Sequence, residues 1–138
     1  AGVARRIVKE GQAFSRIHVD DIVQILIQSM LNPSPGAVYN LCDDEAAPSH
    51  EVITYACELL GVEPPPAVMF EDANLPPIAR SFYLDNKRTC NEKIKNELGI
   101  ALLHPDFKSG LRACLEGEQK MHEKFRRNWK TESAAAQE

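Results

Sequence analysis

The stretch from residue 15 to residue 31 constrains the fold most, because its apolar residues change period partway along. Residues 15–19 alternate between polar and apolar side chains, which predicts a short strand. From Asp20 or Asp21 onward the apolar residues recur at helical spacing. An aspartate at such a junction can cap the free N–H groups of a helix and meet the positive end of its dipole. The stretch therefore predicts a strand that leads into a core helix capped by an aspartate.

The rest of the chain repeats this alternation of short strands and helices. The segment 4–9 fits either a strand or a short helix, and further strands are predicted at 37–41 and 67–70. Gly61 and Gly99 are each expected to end a helix. Helices are predicted over four later segments: 49–60, 78–83, 91–98 and 107–129. This order of elements indicates an α/β or α+β fold.

Charge and composition exclude several classes of protein. The formal net charge of −4 argues against a general nucleic-acid binder. No apolar run approaches the roughly 20 residues of a membrane span, and no signal peptide is visible. The four cysteines are far apart and form no C-x-x-C pair, which disfavours structural zinc and a disulfide scaffold. We therefore expect a cytoplasmic protein with reduced thiols, and neither nucleic acid nor a membrane as its partner.

Three short motifs carry a family resemblance. Residues 16–21, Arg-Ile-His-Val-Asp-Asp, precede an amphipathic helix, and residues 38–44 run through Tyr-Asn-Leu into an acidic loop. Residues 91–107 contain a helix that ends in Leu-Gly before a His-Pro pair. In this order and spacing, over about residues 11–115, the chain resembles the extended short-chain dehydrogenases/reductases, the NAD-dependent epimerase/dehydratase group.

The resemblance implies a Rossmann-type oxidoreductase whose first half binds NAD or NADP and whose last part binds a small-molecule substrate, a nucleotide sugar in related enzymes. A dinucleotide fingerprint needs closely spaced glycines at a strand-to-helix turn, and no two glycines here are that close. We therefore expect this chain to be the C-terminal, substrate-side portion of such an enzyme, inactive alone and without a cofactor of its own. Residues 1–115 would form that domain, and residues 116–138 a charged helical extension with a frayed tail. The chain does not begin with Met, which fits a processed or partial product.

Four side chains are the candidates for positioning the substrate that the resemblance implies: Arg16, His18, Arg80 and Arg88. Arg80 and Arg88 lie in the segment where related sugar-nucleotide enzymes place a phosphate-binding arginine. A guanidinium suits a bidentate phosphate contact, and a solvated basic turn is the alternative. Arg16 and His18 share one face of the predicted strand, where a structural ion pair or a capping contact is the alternative.

Residues 83–87, Tyr-Leu-Asp-Asn-Lys, have the Y-x-x-x-K spacing that the family uses for catalysis. In the family this motif precedes R-x-H-V-x-D, whereas here it follows that segment. Its Asp-Asn pair also favours a turn over the helix that the catalytic pair needs. We therefore predict no catalytic residue in this chain.

The acidic residues do not predict a metal site. Asp20 and Asp21 lack further ligands nearby in the sequence, so that helix capping is the preferred interpretation. The acidic loop at 43–45 could hold a cation, but a solvated loop is preferred.

A function of a different class is a stand-alone protein-interaction or oligomerisation module. The charged helix over residues 110–130 would then present Met121, Phe125 and Trp129 to a partner chain, beyond the family match.

If the chain is a fragment without the rest of a Rossmann sheet, its strand edges and apolar helix faces would be exposed. We therefore expect the chain to self-associate.

Overall fold

The computed structural model describes residues 4–135 of the chain, with side chains up to residue 121. These residues form a mixed α/β structure with five helices and one two-stranded sheet. The elements, in chain order, are β1 (Arg6–Val8), α1 (Val19–Leu31), α2 (Ser49–Leu60), β2 (Ala67–Met69), α3 (Pro77–Ser81), α4 (Glu92–Leu98) and α5 (Phe107–Ala135). The general fold class expected from the sequence is thereby confirmed. Among the described residues, no helix is both long enough and apolar enough to cross a bilayer.

The sheet pairs β1 with β2 in parallel, with Ile7 opposite Val68. The crossover between the two strands contains α2, which packs on β1. Ile7 is buried against Phe70 and Ala73, the cluster that forms the smaller of two cores. Of the two possibilities that the sequence left for residues 4–9, the strand is the one that forms.

The larger core lies between α1 and α4 and contains Ile25, Ile94, Leu98 and Ile100. Gly99 ends α4 with φ of 64°, a left-handed conformation that glycine adopts without a Cβ clash. The chain can therefore reverse directly after Leu98 and place Ile100 in the same cluster. Gly61 ends α2 in the same way, with φ of 65°. Both helix ends follow the sequence prediction.

The first turn of α1 differs from the prediction, because neither aspartate caps it. His18 occupies the N-cap position, and its Nδ1 accepts a hydrogen bond from the backbone N–H of Asp20 (3.2 Å). Asp21 is fully buried and points away from the free N–H groups of the helix, towards a distant loop. The capping role expected of an aspartate is therefore performed by the preceding histidine.

The prediction that α1 is a core helix is also wrong for most of its apolar face. Only Asp21 and Ile25 of this helix are buried. Its other large apolar residues are mostly between 46% and 71% exposed: Val19, Val23, Leu26, Ile27, Met30 and Leu31. An amphipathic pattern shows that a face can be buried, but not which surface covers it.

Residues 15–19 do not form the predicted strand. Phe14 makes one isolated bridge to Ala47 and another to Lys87, and the N–H of Ser15 donates to the carbonyl of Lys87 (3.3 Å). Because this segment takes its backbone partners singly from two different loops, no regular ladder develops.

Residues 37–41 also lack the predicted strand. Tyr39 and Leu41 pack against the core between α1 and α4, and Val38 is exposed. The β-rich composition of this segment therefore serves packing against helices, and the segment has no strand neighbour among residues 4–135.

Asn91 stands at the predicted N-cap position of α4 but makes no side-chain capping bond. Its amide instead donates to the carbonyl of Cys42 (3.0 Å) and to Oδ1 of Asp44 (2.6 Å). The residue therefore fixes the loop before α2 to the start of α4.

The predicted boundary at residue 115 lies within α5, which continues to Ala135 without a break. Residues 133–135 of the expected tail belong to this helix, and residues 136–138 lie outside the described part of the chain. Met121 is exposed, as expected. The side chains of Phe125 and Trp129 lie outside the described residues.

Candidate functional site

Backbone hydrogen bonds join the three motifs of the family resemblance. The N–H of Asp43 donates to the carbonyl of Arg16 (2.6 Å), and the N–H of Asp44 donates to the carbonyl of Pro105 (2.9 Å). Asp21 completes the link, because its carboxylate accepts from the N–H groups of Leu103 (2.7 Å) and His104 (3.1 Å). Segments that are distant in the sequence therefore meet at one place, beside the start of α5.

A pocket of about 160 Å³ opens at this meeting point. Its walls are largely apolar, with Ile17, Val52, Phe107 and Leu111 among them. The polar groups that reach it come from the motifs and from α5: Arg16, His18, Asp43, Asp106 and Cys114. Apolar walls with a few convergent polar groups are typical of small-molecule sites.

Asp43 is the unusual group in this pocket. Its side chain belongs to a residue only 7% exposed, and Oδ1 has no hydrogen-bond partner among the described residues. Burial raises the pKa of Asp43 to about 6, and a backbone hydrogen bond from Glu45 and the positive charge of Arg16 oppose that shift. A buried carboxyl with a free oxygen can accept a hydrogen bond from a bound molecule, or donate one when it is protonated.

Asp106 also lines the pocket, and one oxygen of its carboxylate is engaged in a hydrogen bond. Oδ1 accepts from the backbone N–H of Ser109 (2.7 Å) in the first turn of α5. This hydrogen bond lowers the pKa of Asp106. Of the two aspartates of the pocket, only Asp43 combines near-complete burial with a buried oxygen that has no hydrogen-bond partner among the described residues.

Arg16 is held by its own structural contacts. Nη1 donates to the carbonyls of Phe14 (2.9 Å) and Ala47 (2.8 Å), and Nη2 donates to Oγ of Ser49 (3.2 Å) at the start of α2. Burial lowers the pKa of this guanidinium. Arg16 thus fixes the loop before α2 while it contributes positive charge to the pocket wall.

His18 stands between the pocket and a second histidine. Because its Nδ1 accepts from Asp20, its proton lies on Nε2, which faces Sγ of Cys114 at 3.4 Å. The ring packs over Gly110, where a Cβ would lie 3.4 Å from Cδ2 of the histidine. The ring of His104 faces it with a centroid distance of 4.1 Å.

Sequence reasoning missed His104 and Asp43 as members of this site. The two histidines are 86 positions apart, and only the fold brings them together. The available signal was the His-Pro pair in the third motif, which shows that this segment belongs with residues 16–21. No sequence pattern could show that one oxygen of Asp43 is left without a partner.

The structure does not bring Arg80 and Arg88 to the pocket. Arg80 is exposed and its Cζ lies 4.5 Å from the centre of the Phe70 ring, a cation–π contact at the sheet. Arg88 is also exposed. Of the four predicted substrate-positioning residues, only Arg16 and His18 therefore share a site.

The Y-x-x-x-K residues contact different aromatic groups. Tyr83 stacks on Phe70 with ring centres 5.3 Å apart, and Nζ of Lys87 lies 5.4 Å from the centre of the Phe82 ring. Residues 82–91 contain no helix that would hold the two side chains together, in line with the turn that the sequence predicts there.

A salt bridge from Asp44 helps to hold the acidic loop at 43–45 in place. Oδ1 of Asp44 forms a salt bridge with Nζ of Lys95 and accepts from the amide of Asn91. These contacts lower the pKa of Asp44. Asp44 thus has an internal positive partner.

Comparison with solved structures yields a match to a protein of unknown function. No family model matches the chain, and no curated protein matches it. A solved structure, that of a functionally unknown conserved protein from Silicibacter pomeroyi DSS, superposes with a TM-score of 0.81 at 56% sequence identity. The match covers 84% of this chain and 41% of that protein. The chain is therefore similar in fold to about two fifths of a longer protein whose function is unknown.

Proposed function

We propose that this chain is the substrate-side part of an NAD(P)-dependent oxidoreductase of the epimerase/dehydratase type, and that the pocket contacts the substrate. The observation that carries the proposal is the convergence of the three motifs on one pocket. Arg16 and His18 come from the first motif, Asp43 from the second and Phe107 from the third. Motifs that served the fold alone would not need to leave a pocket between them.

The chemistry of the pocket suits one polar group of a small molecule. A hydroxyl of the substrate would donate to the free Oδ1 of Asp43, while Ile17, Val52 and Phe107 exclude water around it. The volume of about 160 Å³ has room for only a part of a sugar nucleotide, since one liquid water takes up about 30 Å³. The remainder of the substrate would lie outside this chain.

The open surfaces of the chain support the idea that more protein packs against it. Parallel sheets are normally covered on both faces and extended by further strands, whereas this sheet has two strands. Most of the apolar face of α1 is exposed, from Val19 to Leu31. The solved structure that resembles this chain belongs to a protein more than twice as long as the matched part.

The dinucleotide would bind outside this chain, because no glycine spacing here provides the close backbone approach that a pyrophosphate needs. Isothermal titration of the folded chain with NAD and with NADP tests this part of the proposal. We expect no saturable heat with either. Micromolar binding of either dinucleotide to the chain alone would overturn it.

The second candidate is an interaction module without catalysis, which the exposed Met121 and the apolar face of α1 favour. In that case the chain would bind a partner protein and the pocket would be a packing defect. The two functions differ in whether Asp43 matters: an Asp43→Asn change would alter ligand binding under the first function and would leave partner binding unchanged under the second.

A further inference from the structure

Three metal-ligating side chains from two separate segments meet at the start of α1. They are His18 and Asp20, which flank the first residue of the helix, and His104, from the loop before α5. One ligand atom from each lies within 4.8 Å of the other two. We propose that these three residues bind a divalent first-row transition metal such as Zn²⁺.

The spacing of the ligand atoms is close to that of a tetrahedral site. Oδ2 of Asp20 lies 3.6 Å from Nδ1 of His18 and 3.7 Å from Nε2 of His104. Bonds of about 2.0–2.1 Å to a tetrahedral ion place its ligands roughly 3.3–3.4 Å apart. The two pairs that involve Asp20 therefore need to approach by only a few tenths of an ångström, while the two histidine ligand atoms lie within 4.8 Å of each other. The same distances are too long for direct hydrogen bonds.

The fold holds the two histidine ligands in place before any ion arrives. The side chains of His18 and His104 are only 10% and 17% exposed. Asp21, the neighbour of Asp20, is fully buried and fixes the backbone N–H of His104 with its Oδ2 (3.1 Å). Little side-chain freedom would be lost on binding, because both rings are already packed.

The hydrogen bonds of His18 suit ligation through Nδ1. Its Nε2–H faces Sγ of Cys114 at 3.4 Å, and metal-ligating histidines commonly donate their second ring N–H in this way. The ion would take the lone pair that now accepts from the N–H of Asp20 (3.2 Å). Asp20 is exposed, so water can then solvate that N–H.

Two imidazoles and one carboxylate form a donor set that first-row metals such as Zn²⁺ and Fe²⁺ accept. The side chain of Asp20 is 58% exposed, which leaves solvent access for a fourth ligand. Three protein ligands with an open position are typical of catalytic rather than structural zinc sites.

Titration calorimetry with ZnSO₄ tests the site in the full 138-residue chain. We expect one ion per chain with micromolar affinity, and a loss of at least about tenfold in His104→Ala and in Asp20→Asn. His50→Ala is the matched control, because His50 lies on α2 and outside the cluster, and it should bind within twofold of the unchanged chain. Absence of binding up to millimolar Zn²⁺, or equal binding by His104→Ala, would overturn the proposal.

Thiol ligation is the competing source of a zinc signal, and Cys114→Ser separates the two. Serine keeps a hydrogen-bond partner for Nε2 of His18, so affinity should stay within about threefold. A loss as large as that of His104→Ala would contradict the assigned ligands. Nitrogen-15 NMR of the imidazoles gives a second readout: Zn²⁺ should shift Nδ1 of His18 and Nε2 of His104, and unchanged ring nitrogens would also contradict the site.

Discussion

Three aspartates in or near the pocket differ in their burial and in their hydrogen bonds. Asp21 is completely buried and accepts from two backbone N–H groups and from Nε2 of Gln24 (2.6 Å). Asp106 accepts from the first turn of α5. Asp43 is nearly as buried as Asp21 but has one oxygen without a partner among the described residues. Such a group lowers the stability of the folded chain unless a water or a bound molecule donates a hydrogen bond to it.

Replacement of Asp43 by Asn should stabilise the chain at neutral pH. The pKa of Asp43 is about 6 in the folded chain, against an ordinary value of 3.8. The folded state therefore binds the proton more tightly than the unfolded state, and the free energy of unfolding falls as pH rises from about 4 to about 6. Above that range the penalty is at most about 3 kcal/mol, which Asp43→Asn would remove.

Urea unfolding between pH 4 and pH 8 measures this effect. We expect the free energy of unfolding of Asp43→Asn to stay level between pH 4 and pH 6, where that of the unchanged chain falls. At pH 7 it should exceed that of the unchanged chain. Asp72→Asn is the control, because that aspartate is exposed and should leave the pH profile unchanged. An Asp43→Asn chain that is less stable at pH 7 would contradict the account of this carboxyl.

At the scale of single residues, the sequence predicts which segments carry polar candidates but not what each side chain contacts. Arg16 and His18 were found from their motif, and both line the pocket. Asp20 was predicted as a cap, and the structure assigns that role to His18. The difference arises because the contacts of a side chain depend on residues almost ninety positions away, such as His104.

Among the elements, the helices were predicted far better than the strands. Helical spacing is local information, and the glycines that end α2 and α4 are local as well. The strands predicted at 15–19 and 37–41 are absent, because a strand exists only where a neighbour pairs with it. Apolar alternation in these two segments instead reflects packing against α1 and α4.

Two glycine-to-alanine changes should have opposite effects on helix stability. Gly99 has φ of 64° at the end of α4, so Gly99→Ala should destabilise the chain by about 1 kcal/mol. Gly117 lies inside α5 with open space around its Cα, so Gly117→Ala should stabilise that helix by about 0.5–1 kcal/mol. Thermal unfolding of both variants measures the pair. If both variants changed the stability in the same direction, one of the two helix descriptions would be wrong.

At the scale of the whole molecule, the apolar face of α1 departs from a normal soluble surface. Six large apolar side chains of one helix are between 46% and 71% exposed, and contiguous patches of this kind usually mark an interface. We expect the chain alone to self-associate through this face.

Sedimentation velocity over a concentration series measures this association. The double change Leu26→Lys with Met30→Lys places two charges on the α1 face, and it should weaken association at least about tenfold. Leu84→Lys is the control, since Leu84 is also exposed but lies outside α1, and it should associate like the unchanged chain. A chain that remains monomeric at millimolar concentration would contradict this prediction.

We propose that the pocket contacts the substrate of an enzyme whose dinucleotide site lies outside this chain. Nicotinamide fluorescence during titration with NADH and NADPH tests this proposal, on the chain alone and on the chain extended upstream in its own coding sequence. We expect micromolar binding of one of the two dinucleotides by the extended protein and none by the chain alone. An extended protein that binds neither dinucleotide would contradict the proposal.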